Sequence, residues 1–185
     1  IATNDDSLTT WLLSTLQETL IREKIVLHLK VDDQTQTHHL LEAGLVNACI
    51  STEAIAMKGC LAEPLGTMTY RMVATPQFVQ RWLPNGINRE NLKVTPAVIY
   101  NDKDQIHTDI ILKHYGLTSE TYPHHYIPSA NAFAEAIYIG LGFGMLPEYQ
   151  IGSRLETLEL IEILPQVRTE IMLYWHHWKR QSIAL

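Results

Sequence analysis

Six aspartates fall in three close groups: Asp5 and Asp6, Asp32 and Asp33, Asp102 and Asp104. Each group follows an apolar run that reads as a strand. Carboxylates gathered at strand ends suit a cationic ligand, because a buried ammonium or guanidinium without an anionic partner is costly. Neutral groups able to complete such a site stand on the same loops or at helix starts: Ser7, Gln34, Thr35, Asn101, Ser129 and Asn131. Ser7 and Ser129 lie where helices should begin, and a helix N-terminus offers N–H groups and the positive end of its dipole to a carboxylate. Every one of these residues also has a plainer use, since Asp, Asn, Ser and Thr cap helices and build turns with no ligand present. Asp5 and Asp104 are expected to serve only the surface. The candidate ligand-binding set is therefore Asp6, Ser7, Asp32, Asp33, Gln34, Thr35, Asn101, Asp102, Ser129 and Asn131.

Other chemistries find little support. The histidine pairs His38-His39, His124-His125 and His176-His177 place adjacent side chains on different faces and lack the i, i+4 spacing of a helical zinc pair. Cys49 and Cys60 form no CxxC and read as free thiols of a reducing, cytoplasmic compartment. No nucleophile elbow or phosphate loop occurs. Gly140-Leu141-Gly142-Phe143-Gly144 lacks dinucleotide-binding spacing and follows a helix, so its glycines are expected to permit a tight helix-to-strand turn. No catalytic residue, metal or cofactor is expected. A net charge of −6, with Lys179-Arg180 as the local basic pair, argues against DNA binding by these residues themselves. With 46% hydrophobic and 18% charged residues the composition is that of a globular chain. No run is long and apolar enough to span a membrane. The start at Ile1 suggests a fragment or processed product.

Helix and strand signals alternate. Ile1–Thr3 reads as a strand tail. Asp5–Ser7 then caps a helix whose apolar face is Leu8, Trp11, Leu12, Leu16 and Leu20. Ile25–Val31 alternates as a strand, a short helix stops at Gly44, and Leu45–Ile50 reads as a buried strand. Residues 52–68 look irregular. Tyr70–Thr75 is a strand stopped by Pro76, followed by a helix over 77–83, a strand over 94–100 and a helix over 105–115 ended by Gly116. Short strands over 124–127 and 142–146 flank a buried helix over 131–139, and late strands fall at 161–164 and 171–175. Two runs of β-α-β order predict an α/β fold with two parallel-sheet units and ligand sites at strand C-terminal ends.

Leu40–Ile50 resembles the LLxGxLDxAI segment of LysR-type regulator effector domains, with Asn47 where aspartate is usual. Tyr138–Pro147 resembles their VxxGxGIxxLP segment, in the expected order and separation. Asn4–Leu13, Leu83–Gly86 and Met172–His176 are further similar to the branch of that family that responds to lysine and arginine, in which Asp6, Ser7, Asp33 and Thr35 are matched positions.

The resemblance implies two Rossmann-like subdomains of the type 2 periplasmic-binding-protein kind with an interlobe ligand cleft. The chain would cross near Thr75 and Gln166–Thr169, giving lobe I as 1–74 plus 168–185 and lobe II as 75–167. It implies a small-molecule effector, lysine or arginine, and a homodimer or homotetramer. The first helix and Ile25–Val31 are its candidate contact surfaces. DNA would be reached only through a winged helix-turn-helix absent from these residues, with no membrane partner. A periplasmic amino-acid-binding protein of a transport system is the alternative on the same scaffold.

Overall fold

Strand β1 (Ala2–Thr3) pairs in parallel with β2 (Lys30–Val31) on one side and with β3 (Ala48–Ser51) on the other. The structure is a computed structural model that describes residues 1–179. Arg180 and the last residues of the expected lobe I range lie outside the described residues. The chain forms two compact units, one of Ile1–Met68 with the chain from Glu170 onward, the other of Thr69–Thr169.

In the first unit, helix α1 (Asp5–Ser7) continues through a π-helical turn, Leu8–Leu12, into α2 (Leu13–Glu23). The expected apolar face is present but little covered. Leu12 alone of that stripe is buried, and no residue of α2 is. The strand expected over 25–31 pairs only at Lys30–Val31, because β2 is the sheet edge and meets a two-residue β1. Helix α3 (Thr37–Glu42) ends before Gly44, whose φ of +69° is the left-handed conformation that suits glycine. Leu41 of α3 packs with Ala2, Val46, Cys49 and Cys60 to form a small core. Both thiols are free, and burial pushes Cys49 up to about 12.

The segment expected to be irregular is partly a long strand, β4 (Cys60–Ala74). Pro64, Gly66 and the run of exposed residues hide its period. The later strands Gly144–Pro147 and Ile161–Glu162 pair with β4 only over Tyr70–Ala74, so the stretch that carries Pro64 and Gly66 does not pair with them.

The second unit begins in the later part of β4. Thr75 caps α4 (Pro76–Trp82) through a bond from Phe78 N (3.2 Å), so Pro76 opens a helix as well as closing a strand. A short α5 (Arg89–Leu92) forms where none was expected, nucleated by Asn88 and Asn91 in a reciprocal cap. Strand β5 (Ala97–Ile99), α6 (Gln105–Tyr115), β6 (His124–Tyr126), α7 (Ala130–Tyr138) and β7 (Gly144–Pro147) follow. Next come α8 (Glu148–Ile151), β8 (Ile161–Glu162) and β9 (Arg168–Trp178), which returns the chain to the first unit. β5 and β6 are parallel, a parallel bridge joins Ala97 to Phe143, and β7 and β8 both pair antiparallel to β4. Arg71 of β4 donates to Glu148 (2.7 Å) and Glu162 (3.3 Å), tying β4 to α8 and β8. Val73, Val98, Phe133, Ile137, Leu146 and Leu160 are among the buried residues of the unit's core.

The glycine run has two jobs. Gly140, with φ of +78°, ends the helix as its spacing suggests. Gly142 and Gly144 serve close packing instead. A Cβ on Gly142 would lie 2.8 Å from Val98 Cγ2 and 2.9 Å from Pro96 O. Gly142→Ala therefore forces the lead-in to β7 away from β5, and a loss of about 1–3 kcal/mol is expected in chemical denaturation.

His107 of α6 is fully buried. Burial, with a smaller effect from His124, lowers its pKa from 6.5 to about 3. Between those values the unfolded chain binds a proton that the folded chain excludes. Its contribution is therefore intact above pH 6.5 and falls by about 1.4 kcal/mol per unit of pH below it, until about pH 3. Denaturation curves at pH 7.5 and 5 should show a smaller pH dependence for His107→Leu than for the parent.

Candidate functional site

The C-terminal ends of the parallel strands β1, β2 and β3 deliver three loops to one edge of the first unit. Gln34 draws those loops together. Its carbonyl accepts from Ser51 Oγ (3.2 Å) and Thr52 N (3.2 Å) in the loop after β3. Its side-chain Oε1 accepts from Asn4 Nδ2 (3.4 Å) in the loop after β1. Thr37 Oγ1 donates to Ile50 O (2.6 Å) and Asp32 N to Thr3 O (3.1 Å), which fix the same loops from below.

Two buried polar atoms at this edge have no partner: Asn4 Oδ1 and Ser7 Oγ. Asn4 is 6% exposed and occupies the N-cap position, yet its side chain makes no capping bond. Gln34 holds its Nδ2 and so leaves the carbonyl oxygen as an available acceptor. Ser7 is fully buried one turn into a helical run that extends to Glu23. Buried polar atoms are ordinarily satisfied, and here a hydroxyl and an amide oxygen within one helix start are both left without a partner. A carboxylate suits the hydroxyl and the helix dipole, while an ammonium suits the amide oxygen.

The remaining expected site residues are distributed less favourably. Asp32 Oδ1 accepts from Asp33 N (2.8 Å), and Asp33 Oδ1 accepts from Thr35 N (2.8 Å) and Thr35 Oγ1 (2.6 Å). These residues build the turn that presents Gln34. Asp6 lies in α1, beside Ser7, and its carbonyl accepts from Thr10 Oγ1 (2.6 Å).

In the second unit Asn101 Oδ1 accepts from Lys103 N (2.9 Å), and Asp102 is exposed on the same turn. Asp104, expected to be a surface residue, caps α6 by accepting from His107 N (3.4 Å) and also accepts from Tyr100 N (3.2 Å). Ser129 caps α7 by accepting from Ala132 N (3.5 Å), and Asn131 is exposed in the first turn of that helix. Gln150 donates to Ala130 O (3.1 Å) at the same helix start and keeps a buried, unpartnered Oε1.

Asn4, Ser51 and Gln150 were thus missed from the sequence. Asn4 had a signal, since asparagine directly between a strand and an acidic helix start is a strong N-cap. Gln150 had none, because its role depends on the fold bringing α8 to α7.

The His38 and His39 rings lie 3.9 Å apart, centroid to centroid, while the other pairs engage separate partners. His39 meets Glu42 (3.4 Å), His176 Nε2 lies 2.7 Å from Glu53 O, and His177 lies 3.3 Å from Glu63. Among the described residues no group of three or more His, Cys, Asp or Glu is placed to hold a metal ion.

Residues 3–185 match the model of the LysR substrate binding domain. The chain belongs to the LysR substrate-binding domain family. A curated relative, the HTH-type transcriptional regulator ArgP of Vibrio parahaemolyticus, is 35% identical over all 185 residues, and this domain spans 62% of that relative's length. The C-terminal domains of a LysR family protein from Agrobacterium tumefaciens superpose with a TM-score of 0.90 at 31% identity, over 96% of this chain and 86% of that one. LysG of Corynebacterium glutamicum, solved full-length with bound effector Arg, gives a TM-score of 0.86 at 31% identity, over 98% of this chain and 61% of that one. The LysR substrate-binding domain is of the type 2 periplasmic-binding-protein kind, and the mixed α/β units seen here are its building blocks. No helix among the described residues is long and apolar enough to cross a membrane.

Proposed function

We propose that this LysR substrate-binding domain senses a basic amino acid, arginine or lysine, for a transcriptional regulator. The observation that carries the reading is the pair of buried, unpartnered atoms Asn4 Oδ1 and Ser7 Oγ at a helix start. The Ser7 hydroxyl donates to the ligand carboxylate and the Asn4 amide oxygen accepts from its α-ammonium. Asp6, Asp32 and Asp33 of the same unit supply negative charge for the distal cation, with Thr35 shaping their turn. The arginine named as effector of LysG supports the ligand class.

The protein is not an enzyme and acts in the cytoplasm. It reaches DNA through a part outside these residues and assembles as a homodimer or homotetramer. The uncovered face of α2 and β2 supports self-association: Leu13 is 51%, Ile21 70% and Val31 50% exposed, and Val26 between them is 83% exposed. Ligand alters the regulator only to the extent that it binds its two states with different affinity. Nothing among the relatives supports the transport reading.

A thermal-shift screen of the amino acids tests this. At one hundred times Kd a ligand stabilises by about 2.7 kcal/mol, roughly 5–10 °C for a chain of this size. Arginine or lysine should produce that shift, and Ser7→Ala should weaken binding about tenfold. A shift from a non-basic amino acid alone would refute the ligand class. Unchanged affinity in Ser7→Ala would remove the helix start from the site.

A further inference from the structure

Away from the proposed effector site, the second unit buries a polar pair that the sensing role does not use. His107, in α6, is fully buried, and neither of its ring nitrogens has a hydrogen-bond partner. Tyr122, just before β6, is 4% exposed, and its hydroxyl is likewise buried without a partner. The two rings lie 6.0 Å apart, centroid to centroid, and the Phe143 ring lies 5.3 Å from that of His107.

Whatever its tautomer, a neutral imidazole carries one N–H donor and one lone pair, and a phenol carries a donor and an acceptor. Three such atoms buried together without a protein partner are rare in folded proteins. Direct satisfaction by protein is not available, since no described group reaches them. The titratable neighbours acting on the pair through space are His124 and Tyr126 of β6 and Asp104 at the head of α6. An anion does not fit, because the imidazole is uncharged in this setting and Asp104 lies nearby. A molecule that can both donate and accept, and that is small enough for a closed interior, does fit.

We propose that His107 and Tyr122 enclose a resident water molecule, hydrogen-bonded to one imidazole nitrogen and to the Tyr122 hydroxyl. Waters of this kind occur about once per 27 residues in globular proteins and are costly to remove. This one pins the segment entering β6 to helix α6. β6 in turn leads to Ser129, so the water steadies the start of α7 from behind.

Two measurements on the 185-residue chain test the proposal. A high-resolution crystal structure should show an ordered water about 2.7–3.2 Å from both Tyr122 Oη and a nitrogen of His107. Carbon atoms filling that space, or protein groups bonded to the nitrogens, would overturn it. Thermal unfolding of Tyr122→Phe, His107→Leu and the double variant gives an independent answer. A shared water makes the losses in Tm non-additive, so that the double variant melts no lower than the worse single one. Additive losses would mean that the two groups act separately. If a variant does not fold, the crystal structure decides.

Discussion

Gln34 links three loops at once, through a carbonyl shared by Ser51 Oγ and Thr52 N and a side chain that holds Asn4 Nδ2. The polarity of the proposed site follows from that last contact. An asparagine amide can present either end, and the Gln34 Oε1 partner engages the nitrogen end and leaves Oδ1 as an acceptor. Ser7, one turn further on, contributes a donor beside the positive end of the helix. In the proposed site this donor and acceptor take the carboxylate and the ammonium of a zwitterion. The acids on the neighbouring turn act outside that pair. This division of labour also explains why Asp33 and Thr35 are bonded to each other: they hold Gln34 in position, whatever charge Asp33 adds at the rim.

Much of the fold was legible because local chemistry and long-range packing agree there. Gln105–Tyr115 is bounded by Asp104 and Gly116, a cap and a left-handed stop, and forms where the sequence reading puts it. β4 failed to register because Pro64, Gly66 and a run of exposed residues interrupt the alternation that reveals a strand. The first helix failed differently. Its apolar stripe was read correctly, but periodicity reports which residues seek cover and not whether the same chain supplies it. Leu12 is buried, whereas Leu8, Trp11, Leu16 and Leu20 are only partly covered.

The site was legible in its loops and less so in its atoms. Ser7 and Gln34 stand out by polarity and position; Gln34 bonds to Asn4, while Ser7 Oγ is buried without a partner. The acidic residues were picked for charge, and several prove to spend a carboxylate oxygen on their own turn. Composition cannot separate these uses, because Asx-turns and ligand contacts select the same residue types. The glycines of 140–144 show the same ambiguity in the backbone: one meets a φ requirement and two meet a packing requirement, and only the placement of Val98 and Pro96 tells them apart.

The account rests on the start of the first helix receiving the effector's main-chain groups. A crystal structure of the chain with arginine or lysine tests this directly. It should show the ligand carboxylate within about 3 Å of Ser7 Oγ and the α-ammonium facing Asn4 Oδ1. A ligand bound with its carboxylate elsewhere, leaving Asn4 and Ser7 untouched, would contradict it.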